Sequence, residues 1–502
     1  MPVNSRSLYS SLQVRQLERE YAANTSTSTY ALMEKAGQSL WQHVQQQYPK
    51  ASNIVVCCGR GNNAGDGFVL ARLAANAKLS VQVIIINKNF EYTGDAQRAY
   101  TSIIDLITTE PERKTYAINN ADVIVDALLG TGFRSPLEPE FIELIHQINT
   151  AKAPTIAVDL PSGLNADSGA VNEVAVKAHT TVTFIGIKPG LVTAKGLDYC
   201  GVLRLETLEV DTVHTIPFAH WLSYDDYKNR LKKRELDSNK GDYGHLLAIG
   251  GDQGMSGAIK LASLAALRTG PGWLSMLTHP AHSSFLAFDQ PEIMVKAFDE
   301  QIHDSAQNLL ASLLKKSTSI LLGPGLGQND WSRKIFKQTI TSNKRMVLDA
   351  DALNLLAQNP VKKNCWILTP HPGEAASLLG CSTREIQNQR FEAAQEIARR
   401  YGGIVVLKGA GSIVFSKKDQ NPRKLVCRGG NPGMATGGMG DLLAGIIAGL
   451  LTTGYELLTA AELGVLLHAR AGDMSAEKEG TIGMLASDLI PFIRVLMNHP
   501  SV

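Results

Sequence analysis

The sequence predicts an α/β protein that contains two α/β/α domains. Short apolar segments typical of buried strands alternate with amphipathic segments of helical periodicity along most of the chain. This alternation is typical of parallel sheets that are covered by helices on both faces. The chain has 502 residues, which is too long for one ordinary hydrophobic core. We therefore expect two sheets, each with a core of its own.

The predicted elements divide the chain into two similar halves. In the first half, strands are predicted at 54–58, 81–86, 123–126 and 155–159, and helices at 67–75 and 139–148. In the second half, strands are predicted at 245–249, 319–322, 345–348, 366–368 and 404–407, and helices at 258–268 and 390–401. The segment from about Asp211 to Asn239 is polar and charged and interrupts the alternation. We therefore predict domains at residues 1–215 and 240–502, joined by a linker at 216–239.

Composition and charge argue against several classes of function. The formal net charge is +2, so we expect no nucleic-acid partner, and the basic segment 228–234 is interpreted as a solvated helix or linker face. The six cysteines contain no C-x-x-C pair, which favours reduced thiols in the cytoplasm. The apolar run 442–451 is too short to span a bilayer, and the N-terminus has no apolar signal-peptide core. We expect a cytoplasmic protein without a membrane partner.

The glycine-rich segment 431–441 is the strongest chemical signal in the second half. Its four glycines precede Asp441, and the apolar run 442–451 that follows predicts a buried helix. Glycine permits the backbone to close around an anion, and the N–H groups at the start of a helix attract negative charge. Asp441 at this position could accept the proton of a hydroxyl nucleophile. The segment therefore predicts phosphoryl transfer to an alcohol.

Further motifs adjoin strands of the second half: the first leads into a strand, and the others follow strands and should lie at one edge of the sheet. They are 240–245, 250–257, 323–327, 349–354, 369–374 and 407–412. Their order along the chain is the order that a nucleotide kinase would need. The 408–412 loop could approach nucleotide phosphates, and the amides of 437–440 could hold charge in the transition state. Glu374 could organise Mg²⁺ through a water molecule.

Each of these motifs also has a simpler interpretation. The 323–327 segment could be a plain turn, and Asp349 and Asp351 could cap a helix. The 371–374 segment could be the start of a helix with proline in its first turn. Lys408 could be a solvated lysine at the end of a strand. Only the motifs taken together favour the kinase-like site.

Three glycine-containing loops follow predicted strands of the first half. The 58–67 segment resembles a phosphate-binding turn, although an Asx-type turn with Asp66 as a helix cap explains its glycines equally well. Asp126 precedes a second loop, and Asp159 begins a third. Because the carboxyl ends of parallel strands meet at one edge of a sheet, these loops should converge on one crevice.

Two kinds of polar side chain could serve this crevice. The oxygen atoms of Asn63, Asp126 and Ser162 suit a monovalent or hard divalent cation. Lys188 could contact an anionic ligand, but an exposed, solvated lysine is the simpler interpretation. The first half is therefore predicted to bind a polar ligand, with a candidate cation site beside it.

The first half resembles the NAD(P)H-hydrate epimerase domain. The resemblance covers about residues 1–210 and rests on the motifs 59–67, Asp126, 130–132 and 158–163. It implies a Rossmann-like α/β/α fold and a K⁺ ion held by Asn63, Asp126 and Ser162. It also implies that Asp159 contacts the substrate and acts as the acid/base residue. The other implied contacts to the hydrated nicotinamide dinucleotide are Asn62, Asn63, Ala64, Gly65, Asp66, Gly130, Thr131, Gly132, Phe133, Arg134, Ser135 and Pro136. Ala64 stands where the family usually has glycine.

The second half resembles the ribokinase-like superfamily and, more narrowly, the ADP-dependent NAD(P)H-hydrate dehydratase. The resemblance runs from about Lys240 to near the C-terminus and includes the 371–374 and 437–441 motifs. It implies that the hydrate is contacted by Ala258, Gly325, His371 and Asp441. It implies that the adenine nucleotide is contacted by Lys408, Gly409, Ala410, Gly411, Ser412 and Gly440. Ser412 stands where the family often has threonine.

Together, the two resemblances predict a bifunctional enzyme that repairs hydrated NADH and NADPH. The first domain would interconvert the R and S epimers at C6 of the nicotinamide ring. The second would dehydrate the S epimer with Mg²⁺ and ADP, giving NAD(P)H, AMP and phosphate, with Asp441 as the base. We expect the partners to be these small molecules and the protein to form a homo-oligomer. The alternative is an ATP-dependent small-molecule kinase, such as a vitamin-precursor kinase, with a regulatory dinucleotide-binding module as its first half.

Overall fold

The computed structural model describes residues 6–25, 28–86, 91–108, 111–133, 135–299, 303–418 and 421–499. The chain divides into two compact units, Met1–Trp221 and Leu222–Val502. Within the described ranges, every helix is too short or too polar to cross a membrane.

The first unit is built on a seven-stranded parallel sheet. The seven strands of the sheet are β2 (Asn53–Cys58), β3 (Ser80–Ile85), β4 (Ile107–Thr108), β5 (Val123–Ala127), β6 (Thr155–Val158), β7 (Thr180–Phe184) and β8 (Val202–Glu206), and two further strands are β1 (Ser7–Leu8) and β9 (Ala219–Leu222). Its helices are α1 (Ser11–Thr25), α2 (Thr29–Gln47), α3 (Asn62–Asn76), α4 (Gly94–Thr101), α5 (Pro111–Asn119), α6 (Pro139–Thr150) and α7 (Gly196–Tyr199). The sheet order is β4-β3-β2-β5-β6-β7-β8, and β1 pairs antiparallel with β9 outside it.

Helices cover both faces of this sheet, as the alternation in the sequence predicts. Along β2, Val56 and Cys58 face a core that includes Phe68 of α3, whereas Val55 and Cys57 face a core that includes Phe141 of α6. Successive side chains of a strand point to opposite faces, so a strand with a core on both sides must be apolar throughout.

The strand order also creates a crevice in the first unit. From β2 the chain continues to β3 and β4 on one side, and then returns to place β5 on the other side. The loops after β2 and β5 therefore leave in opposite directions and open a crevice at the carboxyl ends of these strands.

The second unit contains a mixed sheet. Its strands are β10 (His245–Ile249), β11 (Trp273–Thr278), β12 (Met294–Ala297), β13 (Ser319–Leu322), β14 (Arg345–Leu348), β15 (Trp366–Leu368), β16 (Ile404–Leu407), β17 (Ser412–Lys418) and β18 (Asn421–Cys427). Its helices are α8 (Tyr224–Tyr227), α9 (Ser256–Arg268), α10 (Pro280–Asp289), α11 (His303–Lys316), α12 (Asp330–Ile340), α13 (Asp351–Gln358), α14 (Pro372–Leu379), α15 (Thr383–Asn388), α16 (Arg390–Tyr401), α17 (Met439–Thr452), α18 (Leu457–Glu479) and α19 (Ile490–Asn498).

The order of these strands is β18-β17-β16-β15-β14-β13-β10-β11-β12, in which only β17 and β18 run antiparallel to their neighbours. The direction of winding changes between β10 and β13, so a second crevice opens at their carboxyl ends. Both units thus confirm the predicted α/β class with parallel sheets.

Helix α17 is the central buried helix of the second unit, as its apolar run predicts. It packs on α9 at close range, because a Cβ atom added to Gly445 would lie 2.0 Å from the carbonyl oxygen of Ala262. A Cβ atom added to Gly449 would lie 2.0 Å from Thr269 Oγ1. The two glycines therefore permit the close packing of α17 against α9.

Candidate active sites

The crevice of the first unit contains a cavity of about 180 Å³. Of the residues predicted to bind the hydrate, those that line it are Asn62, Asn63, Asp66, Gly130, Thr131 and Asp159. An adjoining depression of about 450 Å³ shares some of these residues and adds Gly132, Phe133 and Pro136. The structure therefore brings most of the predicted set to one place.

Of the predicted contacts, three line neither cavity and a fourth lies outside the described residues. Ala64 and Gly65 are buried inside the unit and line neither cavity. Ser135 donates a hydrogen bond to Glu173 at 2.5 Å and also lines neither. Arg134 lies outside the described residues.

Lys188 is fully buried, so its interpretation as a solvated lysine is wrong. Its ammonium group pairs with Asp159 Oδ1 and donates to Thr183 Oγ1 at 3.1 Å and to the Phe184 carbonyl oxygen at 3.0 Å. A buried ammonium group requires a carboxylate and further acceptors to offset its lost hydration. Thr183 Oγ1 and the Phe184 N–H also donate to the same oxygen of Asp159, at 3.0 and 3.2 Å.

The three residues predicted to hold a cation surround the Leu129 backbone. Ser162 donates to the carboxylate of Asp126 from its N–H at 2.8 Å and from Oγ at 2.6 Å. The N–H of Leu129 donates to Ser162 Oγ at 2.8 Å, and Asn63 Nδ2 donates to the Leu129 carbonyl oxygen at 3.2 Å. Burial raises the pKa of Asp126 to about 6, and the described residues provide it with no ion pair.

This oxygen-rich group has the composition that a monovalent cation requires. It contains one buried carboxylate, one hydroxyl, one side-chain amide and one backbone carbonyl. The described residues contain no group of three or more His, Cys, Asp or Glu side chains that could hold a metal ion. These oxygen donors suit a monovalent or hard divalent cation, as the sequence predicts.

Two carboxyl groups in the cavity differ from expectation. Asp66 is not a helix cap, because α3 begins after Gly61 without a side-chain cap, and Asp66 lines the cavity instead. Burial and the nearby Asp159 and Glu18 raise the pKa of Asp66 well above its usual range. Glu18 of α1 lines the same cavity and was missed by sequence reasoning. It lies four residues after the buried Val14, so a carboxyl group on the apolar stripe of α1 was the available signal.

In the second unit, Lys408 and Asp349 form a buried ion pair. Lys408 Nζ lies 2.6 Å from Asp349 Oδ1 and 3.6 Å from Glu374 Oε2, and Thr369 Oγ1 donates to Asp349 Oδ1 at 2.8 Å. Burial opposes the charge of Lys408, but Asp349 and Glu374 outweigh it and raise the lysine pKa. Two simpler interpretations are therefore wrong: Asp349 does not cap a helix, and Lys408 is not solvated.

Asp441 lies in the first turn of α17, next to this ion pair. Burial and the negative charge of Asp349 raise the pKa of Asp441 to about 6, and Lys408 partly offsets them. A Cβ atom added to Gly440 would lie 3.1 Å from Lys408 Nζ. The start of α17, the ammonium group of Lys408 and the carboxyl group of Asp441 are therefore neighbours. A negative charge that develops beside the lysine and the helix start would be stabilised.

His371 begins α14, which confirms the predicted helix start. Its Nδ1 accepts hydrogen bonds from the N–H groups of Gly373 and Glu374 at 2.9 and 3.3 Å, and Glu374 Oε2 accepts one from the His371 N–H at 2.7 Å. Burial raises the pKa of Glu374 to about 7, although Lys408 acts against this. Burial and Lys408 lower the pKa of His371, which favours the neutral imidazole that can accept these bonds.

The remaining predicted residues lie at the same edge of the sheet. A Cβ atom added to Gly325 would lie 3.2 Å from Ala258 Cβ, so these two residues adjoin at the change of winding. Ser412 Oγ donates to the Gly409 carbonyl oxygen at 3.0 Å inside the 408–412 loop. Arg390, which sequence reasoning missed, lies buried beneath this loop, with Nη2 3.2 Å from the Gly411 carbonyl oxygen.

Comparison with known proteins shows the family to which this chain belongs. Residues 246–494 match the family described as NAD(P)H-hydrate dehydratase, and residues 29–190 match the family described as YjeF-related protein N-terminus. The bifunctional NAD(P)H-hydrate repair enzyme Nnr of Coxiella burnetii is 42% identical over 98% of this chain and 99% of its own length. The chain belongs to the family of bifunctional NAD(P)H-hydrate repair enzymes.

Other relatives agree with this family. The repair enzyme of the same description from Escherichia coli K12 is 39% identical over 97% of this chain and 93% of its own length. A ribokinase-like superfamily protein from Enterococcus faecalis matches with a TM-score of 0.50 and 28% identity, over 55% of this chain and 94% of that protein. The family favours the repair enzyme over the small-molecule kinase with a regulatory module.

Proposed function

We propose that this chain repairs hydrated NADH and NADPH in two steps at two sites. The first unit interconverts the R and S epimers at C6 of the nicotinamide ring. The second unit dehydrates the S epimer with ADP as the phosphoryl donor, and the products are NAD(P)H, AMP and phosphate. Family membership supports both steps, and the position of Asp441 beside Lys408 at the start of α17 carries the assignment of the second.

The dehydration begins at the C6 hydroxyl group, which leaves poorly as hydroxide. Asp441 removes the hydroxyl proton, and the oxygen attacks the terminal phosphoryl group of the nucleotide. Phosphate then departs from C6 as the ring-nitrogen lone pair forms the C–N double bond. Loss of a proton from C5 restores the dihydropyridine. A pKa of about 6 leaves Asp441 ionised at neutral pH while it remains basic enough to take the proton.

The proposed contacts to the hydrate and the nucleotide are made by residues at the same edge of the second sheet. We assign the hydrate to Ala258, Gly325, His371 and Asp441. We assign the nucleotide phosphates to Lys408, Gly409, Ala410, Gly411, Ser412 and Gly440. The ammonium group of Lys408 and the N–H groups at the start of α17 would stabilise the charge of the transferring phosphoryl group. Mg²⁺, held through water by Glu374, would supply further positive charge to the phosphates.

The first unit is proposed to epimerise the same C6 carbon without a nucleotide. C6 bears both nitrogen and oxygen, so loss and return of its hydroxyl group can invert it. Asp159 lies in the cavity and is the proposed contact to the reacting carbon, and the other contacts are those that line the two depressions. K⁺ at Asn63, Asp126 and Ser162 would balance the buried Asp126 charge and order the loop that contains Gly130.

A coupled assay tests both steps. The full chain is incubated with mixed epimers of hydrated NADH and with ADP, and the absorbance of reduced nicotinamide is followed. Recovery of both epimers supports the proposal. Recovery of only the S epimer would remove the epimerase assignment, and no recovery would remove the dehydratase assignment. Release of a stable phosphoester with ATP would support the kinase alternative, and product analysis with ADP and ATP identifies the donor.

A further inference from the structure

Among the carboxyl groups that line the first cavity, those of Glu18 and Asp95 have no assigned role, and Asp95 already accepts a hydrogen bond from Thr29 Oγ1. Glu18 comes from α1 and lines the cavity together with Asp66, Asp159 and Lys188. Across the part of the chain that the structure describes, the carboxyl group of Glu18 makes no hydrogen bond and no ion pair. Its carboxyl group is therefore available to a bound ligand.

Asp159, in contrast, is committed to protein partners. Its Oδ1 atom accepts from the ammonium group of Lys188, from Thr183 Oγ1 at 3.0 Å and from the Phe184 N–H at 3.2 Å. These three donors converge on a single oxygen atom of the Asp159 carboxyl group. Lys188 and the two hydrogen-bond donors hold the Asp159 carboxyl group at the wall of the cavity, where it can stabilise positive charge on the substrate.

The electrostatic surroundings of Glu18 favour its protonated form. Burial and the charge of Asp159 raise the pKa of Glu18, and Lys188, Arg15 and Arg19 only partly offset them. A carboxyl group with a raised pKa holds its proton more readily than a free carboxyl group, and can therefore both give and regain it. Burial and the charges of Asp159 and Glu18 raise the pKa of Asp66 well above its usual range, which favours its neutral form, a hydrogen-bond donor.

We propose that Glu18 is the catalytic acid and base of the epimerisation, and that Asp159 stabilises the cation formed between the two steps. This inference rests on the proposed epimerase function of the first unit. Protonated Glu18 gives its proton to the C6 hydroxyl group, the C6–O bond breaks, and the ring-nitrogen lone pair forms the C–N double bond as water leaves. Water then adds to the other face of C6, and its proton returns to Glu18.

The test compares Glu18→Gln and Glu18→Asp with the wild-type chain. The matched control is Glu20→Gln, an exposed position on the same helix. Each full-length variant is given the separated R epimer without nucleotide, and formation of the S epimer is followed by chromatography after subtraction of the uncatalysed rate. Dehydration of the S epimer with ADP is measured in the same preparations, because it reports the integrity of the second unit.

We expect Glu18→Gln to slow epimerisation by about 100-fold or more, Glu18→Asp to restore part of the rate, and Glu20→Gln to match the wild type. The wild-type rate should fall as the pH rises through the Glu18 pKa, and this alkaline decline should disappear in Glu18→Gln. Wild-type epimerisation by Glu18→Gln would overturn the inference, as would a reduced rate that keeps the wild-type pH profile. A wild-type chain that does not epimerise would instead overturn the proposed function.

Discussion

The guanidinium group of Arg390 lies directly beneath the 408–412 loop, with Nη2 3.2 Å from the Gly411 carbonyl oxygen and 3.5 Å from that of Lys408. Arg390 is fully buried, and its partners within the described residues are neutral oxygen atoms. Because the N–H and C=O groups of a trans peptide point in opposite directions, the Lys408 carbonyl that faces Arg390 directs the Gly409 N–H away from it. Arg390 therefore orients the 408–412 loop, and the Gly409 N–H is directed away from the guanidinium group.

Arg390→Met should weaken ADP binding and leave hydrate binding unchanged. The substitution removes the donors that orient the loop, so we expect about a tenfold higher Kd for ADP and a loss of about 1–3 kcal/mol in unfolding free energy. Calorimetric titration with ADP checks the first effect, and denaturant unfolding checks the second. Arg399→Met, at an exposed ion pair on the same helix, is the control. Unchanged ADP affinity in Arg390→Met would refute an orienting role for this residue.

Asp441→Asn should abolish dehydration and spare epimerisation. The amide cannot accept the C6 hydroxyl proton, so we expect the dehydration rate to fall by about 100-fold or more. Epimerisation in the same sample is the internal control. Loss of both activities would argue against two separable sites.

The dehydration rate should fall as the pH is lowered through about 6. Asp441 must be ionised to act as a base, and its pKa is raised to about 6 by burial and Asp349, with Lys408 and Asp351 also acting on it. The active fraction is therefore present above this pH and is lost below it. The pH profile of kcat/KM for the S epimer, measured with saturating ADP, checks this. A flat profile from pH 7 to about 5 would exclude Asp441 as the titrating base.

Lys188→Met should destabilise the first unit and impair epimerisation. The substitution leaves Asp159 largely buried without its cation, and breaking such a pair costs about 3–5 kcal/mol. Denaturant unfolding and the epimer assay measure the two effects. Lys195→Met removes an exposed ion pair with Asp198 and should cost less than about 1 kcal/mol. Equal losses of unfolding free energy in Lys188→Met and Lys195→Met would contradict the conclusion that burial makes the Lys188–Asp159 pair the more important of the two.

Epimerisation should depend on K⁺ through Asp126. Replacing K⁺ by tetramethylammonium should slow epimerisation, because the larger cation cannot enter the oxygen-rich group around Leu129. Asp126→Asn should lose this dependence on the cation. The epimer assay with each salt at constant ionic strength checks both expectations, and an equal rate in the two salts would remove the cation site.

The parallel α/β class could be predicted because its signals are local. The segments that became β2, β5, β10 and β13 are uninterrupted apolar runs, and glycine-rich loops follow them. Strands with mixed polar content were missed, among them β11, β17 and β18. The pairing of β17 with β18 is decided by their register with each other, which the local sequence pattern does not contain.

The sequence by itself determined that glycine-rich loops follow the strands of two sheets, and that Asp441 lies at the start of a buried helix. These features could be predicted because strand, turn and helix-start patterns depend on neighbouring residues. Only the tertiary structure decided the state of the charged side chains. Lys188 and Lys408 look like solvated lysines in the sequence, and each is buried against an aspartate distant in the chain. Burial and ion pairing depend on which elements the fold brings together, and that information is absent from the local pattern.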